Sequence, residues 1–158
     1  MKLYYPIAIK LKDKHALVVG GGQVAARKVK ALRQFGVRVR VVSPSLVPAL
    51  KKLVKSRKIV WLNKKVESSD AKGIDIVIAA TSIASINQKI SSWAKREGVL
   101  VNVVDNTRLS TFISPAVFSK GKAIVAVYTD GRDPALSRDL KNFLKEHWNE
   151  FLSYRHRL

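Results

Sequence analysis

The chain has no cysteine. Disulfides, thiolate zinc sites, iron–sulfur clusters and a thiol nucleophile are therefore excluded. Histidine is scarce, and His15, His147 and His156 are scattered without metal-ligand spacing, so no metal site is expected. No Ser-His-Asp or P-loop pattern and no internal repeat is present. No apolar run approaches the ~20 residues that span a bilayer. The start, MKLYYPIAIKLKDK, has one lysine and then a short apolar piece broken by Pro6 and Lys10, unlike a secretory signal. A cytoplasmic protein without a membrane partner is the expectation. Acidic residues are also few: none lies between Asp13 and Glu67.

What is present begins with charge. Thirty Lys and Arg against 11 Asp and Glu give a formal net charge of +19. Such a field attracts polyanions: nucleic acid, an acidic membrane surface, or a small polyanionic substrate. A merely lysine-rich surface is the plainer reading. The basic residues are spread along the chain rather than gathered in a tail, which argues against nucleic acid. With 158 residues, 47% of them hydrophobic, the chain fits one globular domain, or one domain with a small appendage.

Alternating apolar runs and helical patterns predict an α/β fold, a Rossmann-like doubly wound parallel sheet. Strands are expected at Ala16–Val19, Val37–Val42, Ile59–Leu62, Ile74–Ala80 and Val99–Val104. Helices are expected at Gln23–Phe35, from Pro44 through Val54, and at Ser85–Glu97. The run IDIVIAA reads as a central strand buried on both faces. Leu3–Leu11 is expected as a lead-in edge strand. After Asp105 the character changes. Phe112–Phe118 and Lys122–Thr129 suggest a hairpin. Asp133 and Pro134 then open a helix that carries Leu136, Leu140, Phe143, Leu144, Trp148 and Phe151 toward one face. Residues 1–110 are expected as the nucleotide-binding domain and 111–158 as a small α+β region whose exposed face meets a second copy.

The segment ALVVGGGQVAARKVKALRQFGVRVRVVSP carries the first chemical signal. Gly20-Gly21-Gly22-Gln23-Val24-Ala25 matches G-x-G-x-x-A between a strand and a helix. Gly20 allows the tight turn, Gly22 lets backbone approach a pyrophosphate, and Ala25 lets the helix pack closely. The free N–H groups at the helix start face the anion. The alternative is a glycine turn without a ligand. No acid ends the second strand, where an NAD site usually places one for the adenine ribose; Val42-Ser43-Pro44-Ser45 stands there. With Arg38 and Arg40 near, residue types leave NAD and NADP both open.

Asn102-Val103-Val104-Asp105-Asn106 ends the last core strand at the edge where open α/β sheets bind ligands. Asp105 is a candidate general base. Alternatively it caps the next loop or pairs with a Lys or Arg. Asn102 and Asn106 are candidate cofactor contacts, or plain turn residues.

Together with IDIVIAAT and Asn87, VNVVD, and FISPAVFSKGKAIVAVYTDGRDPALSR, these motifs resemble the precorrin-2 dehydrogenase family, which includes a module of siroheme synthase. The resemblance implies NAD-dependent oxidation of precorrin-2 to sirohydrochlorin, by a homodimer with a nucleotide-binding domain and a dimerisation region. It leaves ferrochelatase activity open. It places the catalytic aspartate at Asp105 and cofactor contacts at Gly22, Gln23, Val24, Ser43, Pro44 and Thr81. The family itself lacks the ribose acid, which favours NAD. The substrate, a tetrapyrrole with eight carboxylates, suits a basic cleft, with Ser114, Arg132 and Arg138 as candidate contacts; surface solvation is the alternative for the two arginines. A nucleotide- or tetrapyrrole-binding module without turnover is the competing function.

Overall fold

The computed structural model describes residues 4–155. Leu3, where the expected lead-in strand starts, and His156 lie outside them. The chain forms two compact units, Pro6–Phe112 and a second made of Met1–Tyr5 with Ile113–Leu158.

The larger unit is built on five parallel strands: β1 (His15–Val19), β2 (Arg38–Val42), β3 (Val60–Leu62), β4 (Ile76–Ala79) and β5 (Leu100–Val103), in the order β3-β2-β1-β4-β5. Helices α1 (Gln23–Gln34), α2 (Pro48–Lys55) and α3 (Ala84–Arg96) supply three of the four crossovers, and the one from β3 to β4 holds only a short 3-10 turn at Ser68–Ala71. Side chains alternate across the pleat and build two cores. Val18, Val39, Val41 and Ile78 pack with Ala25 and Val29 of α1 and Leu50 of α2. On the other face Leu17, Val19, Val77, Val101 and Val103 pack with Ile90 and Ala94 of α3. All four residues of β4 are buried, as its unbroken apolar run predicts. The sheet is thus the doubly wound, Rossmann-like one expected. Chain order reverses between β1 and β4, which pair from Ala16↔Ile76 to Val19↔Ala79.

Element ends differ from expectation by a few residues. The expected strand over residues 3–11 is absent from the described part: residues 4–11 have no regular structure. Tyr5, Ile7 and Ile9 are exposed rather than laid on a sheet. The helix expected from Pro44 begins only at Pro48, since the chain first returns to the glycine turn through Val47 N–H to Gly21 O, 2.9 Å.

Strand β5 ends the sheet, and its outer edge is closed by side chains. Thr111 Oγ1 accepts the Val101 N–H at 2.9 Å, and Ser110 Oγ accepts that of Val103 at 2.8 Å. Thr111 N–H in turn reaches Val101 O at 2.8 Å. An edge occupied this way offers few groups for further strand pairing. At the other end of the sheet Asp75, just before β4, accepts the His15 N–H and the Lys14 ammonium, both at 2.9 Å. The His15 N–H first, then Lys14, hold the Asp75 carboxyl below the usual carboxylate range.

The smaller unit is an antiparallel hairpin, β6 (Ala116–Lys120) and β7 (Ala123–Val127), followed by α4 (Pro134–Glu146) and α5 (Trp148–Arg155). The hairpin starts later than expected because residues 110–112 are spent on the β5 edge. Asp133 caps α4, its Oδ1 accepting the Leu136 N–H at 2.8 Å, and Pro134 is the first helical residue, as read from sequence. The single helix expected there is two. They part at His147, whose backbone N–H and Nδ1 both meet Phe143 O, at 3.0 and 2.9 Å, and whose ring stacks on Phe143. Leu136, Leu140, Phe143, Leu144 and Phe151 are exposed. A groove of about 730 Å³ runs beside them, walled by Ala123, Val125, Phe143, Leu144, Trp148 and Phe151. Among the described residues no helix is long and apolar enough to cross a membrane.

Candidate functional site

The carboxyl ends of β1, β2, β4 and β5 bring together Gly20, Gly22, Gln23, Val24, Ser43, Pro44, Thr81 and Asp105 within the larger unit. The glycine turn is wedged between two of these ends. Gly20 has φ +120°, a conformation that L side chains rarely adopt, and a Cβ there would lie 2.3 Å from Ala80 O. A Cβ on Gly21 would lie 1.8 Å from Ser45 O and 2.8 Å from Ser43 Oγ. These two glycines are required by the fold, whatever binds. Gly22 is different: a Cβ there meets nothing within 4 Å. Gly22 is also the N-cap of α1, with no side-chain cap bond and no acid in the first turn. The first helical bond is donated by Ala26, to Gly22 O at 3.0 Å. The N–H groups of the first turn therefore face an open, uncapped space with a positive helix end behind them, which suits a diphosphate.

The end of β2 holds no acid. Ser43 is buried, its carbonyl accepts Trp61 Nε1–H at 2.9 Å, and its Oγ accepts the Ser45 N–H at 3.4 Å. The possibility of a 2′-phosphate held by Arg38 is corrected by the register. Arg38 pairs with His15 at the amino end of the sheet and sits 3.7 Å from Asp13, away from the ligand edge. Arg40 is mid-strand, opposite Leu17. One cation of α1 is partly buried: burial, and secondarily the neighbouring Arg27, hold the Lys28 ammonium below the ordinary lysine range.

Asp105 follows β5 and is exposed. It does not cap the next loop; Asn106 does, its Oδ1 accepting the Arg108 N–H at 3.0 Å. Nor does any Lys or Arg among the described residues form an ion pair with it. Its contact is Asn87, whose Nδ2 donates to Asp105 Oδ1 at 3.4 Å. Asn87 is 1% exposed and also holds Thr81: its Oδ1 accepts Thr81 Oγ1–H at 2.7 Å and Thr81 N–H at 3.3 Å, and its Nδ2 donates to Thr81 O at 3.0 Å. Residue types had not marked Asn87 as a site residue. The available signal was a polar side chain amid Ile83, Ile86 and Ile90 on an amphipathic helix. Asn102 is buried beneath the same edge, its Nδ2 donating to Phe112 O at 3.1 Å while its Oδ1 lacks a partner. The two asparagines expected as cofactor contacts thus both serve the backbone of the 106–112 segment.

Ser114, Arg132 and Arg138 belong to the smaller unit. Ser114 is exposed, Arg132 Nη2 lies 3.9 Å from Asp130, and Arg138 pairs with the adjacent Asp139 at 2.8 Å.

Comparison with known proteins identifies the family. The family described as putative NAD(P)-binding matches residues 7–116. A siroheme synthase of Methylobacillus flagellatus is 42% identical over 136 residues, covering 86% of this chain and 29% of that protein. One of Vesicomyosocius okutanii is 36% identical over 138 residues, covering 87% and 30%. The chain thus spans under a third of these curated relatives. Among solved structures, SirC, a precorrin-2 dehydrogenase, superposes with a TM-score of 0.77 at 28% identity, covering 91% of this chain and 71% of that one. The resemblance read from the motifs is borne out.

Proposed function

From the premise that this chain belongs to the putative NAD(P)-binding family, we propose that it oxidises precorrin-2 to sirohydrochlorin with NAD⁺. The observation that carries this is an exposed carboxylate that forms no ion pair among the described residues and is held by a buried amide, on the same sheet edge as an open glycine cradle. The likeness to siroheme synthases and to SirC supports the choice of substrate.

Gly22 and the first-turn N–H groups of Gln23 and Val24 hold the diphosphate, with Gly20 setting the turn. Ser43 and Pro44 flank the adenine ribose, and Arg38, placed at the amino end of the sheet, is not there to hold a 2′-phosphate, which supports NAD. Thr81 lies at the nicotinamide side. Bound NAD⁺ supplies the hydride acceptor. Asp105 takes the proton released as a hydride leaves the macrocycle and its conjugation extends. Two hydrogens leave the substrate, one as hydride and one as proton. The +19 charge draws in the polycarboxylate, and Ser114, Arg132 and Arg138 are the candidate contacts of the smaller unit. The exposed apolar side chains along α4 and α5 support a homodimer formed through that unit.

The test is NADH appearance from anaerobically generated precorrin-2 and NAD⁺, with wild type beside Asp105→Ala. Turnover lost in the variant is the expected result. Equal rates would remove Asp105 from the chemistry. Absence of turnover in both, with NAD bound, would leave a nucleotide-binding module.

A further inference from the structure

Asn87 sits six residues after Thr81 and eighteen before Asp105, yet its amide reaches both. Its orientation is fixed by the partners. In the flipped rotamer Nδ2 would face the Thr81 N–H, donor against donor. Oδ1 would face Thr81 O and the Asp105 carboxylate, acceptor against acceptor. Burying an amide between a helix and a sheet is costly unless its hydrogen bonds are made, and here both ends of the amide are used. Asp105 receives no ion pair or backbone N–H among the described residues, so no other side chain sets its direction.

We infer that Asn87 is a positioning residue: it holds the Asp105 carboxylate at the end of β5 in fixed relation to Thr81 at the end of β4. The inference rests on the reading of Asp105 as the proton acceptor. Thr81 is on the cofactor side of that reading, so one buried amide aligns the base with the cofactor. Productive geometry is lost if the carboxylate swings by about an ångström, which typically costs ~10- to ~100-fold in rate.

Two measurements test it. The first is a double-mutant cycle on precorrin-2 oxidation with Asn87→Leu and Asp105→Asn. Asn87→Leu alone is expected to lower kcat about 10- to 100-fold with little change in KM for the tetrapyrrole. In the Asp105→Asn background it should cost almost nothing more, because the group it acts through is gone. A merely structural asparagine would cost the same in both backgrounds, and that result overturns the inference. So does an Asn87→Leu enzyme with wild-type kcat. Should Asn87→Leu fail to fold, Asn87→Ser carries the same comparison. Wild-type turnover in Asp105→Asn would instead overturn the reading of the base, a distinct outcome. The second measurement needs no activity: one Asn87 side-chain amide proton should move upfield in the NMR spectrum of Asp105→Ala. An unmoved resonance refutes the contact.

Discussion

Three adjacent glycines make different demands, and Gly22→Ala separates binding from folding. Gly22 has φ −85° and ψ −173°, extended backbone open to any residue, and the added methyl meets nothing within 4 Å. Alanine is a poorer N-cap than glycine by about 0.5–1 kcal/mol. Against that, the unfolded chain loses freedom worth about 0.4–1 kcal/mol. The two offset, and stability should stay within about 0.5 kcal/mol of wild type. The methyl, however, stands where the diphosphate must approach the first-turn N–H groups. Forcing a methyl into such a contact costs about 1–3 kcal/mol, or ~5- to ~150-fold in the dissociation constant of NAD⁺. Gly20→Ala is the control. Its Cβ would sit 2.3 Å from Ala80 O on a backbone at φ +120°, and backbone strain alone costs about 1–3 kcal/mol. Calorimetric titration with NAD⁺ and thermal unfolding of both variants give the answer. The expected pattern is a folded Gly22→Ala that binds poorly and a Gly20→Ala that melts early. A Gly22→Ala protein with an unchanged dissociation constant would refute the placement of the diphosphate.

Two further predictions concern pH. Asp75→Ala frees the His15 N–H and Lys14, and should destabilise by about 1 kcal/mol at neutral pH given the partial exposure. Because the folded-state value of Asp75 lies below its unfolded one, its contribution is complete above about pH 4 and is lost as pH falls further. Denaturant titrations should therefore show wild type and variant converging in acid; a constant gap would contradict the assignment. For Lys28 the sign is reversed. Burial lowers its folded-state value, so the ammonium opposes folding at neutral pH and stability gains as pH rises toward the unfolded value of about 10.4. Lys28→Met should unfold at higher temperature than wild type at neutral pH, with the advantage shrinking in alkali. A variant less stable than wild type at neutral pH would show that the ammonium is favourably placed.

The β1–α1–β2 unit was legible because its glycine turn is also a steric necessity, so one pattern reported both turn and fold. The buried β4 was legible because a strand covered on both faces cannot carry polar residues. The lead-in strand expected at Leu3–Leu11 misled, since an apolar stretch such as Tyr5, Ile7 and Ile9 reports a tendency to extend and not whether another strand lies alongside. The late start of β6 was hidden because Ser110 and Thr111 act through hydroxyls on a strand edge, a use that no periodicity encodes. Asp105 could be picked out by its position after an apolar strand. Asn87 could not be given its role, because its partners lie on two other elements and meet only once the sheet is assembled.

The smaller unit includes Tyr4 and Tyr5, far in sequence from the rest of it. Tyr4 N–H donates to Asp130 Oδ1 at 3.1 Å, and Tyr128 Oη–H reaches Tyr4 O at 3.3 Å, across separations of 126 and 124 residues. The larger unit is therefore topologically an insertion within the smaller one. On a ribosome adding about 5–20 residues per second, Tyr4 waits roughly 6–25 s for its partners to be made. In that interval all of Pro6–Phe112 has been synthesised. The parallel sheet thus has the opportunity to assemble before Tyr4 meets Tyr128 and Asp130, and to act as the spacer that brings a long loop to closure.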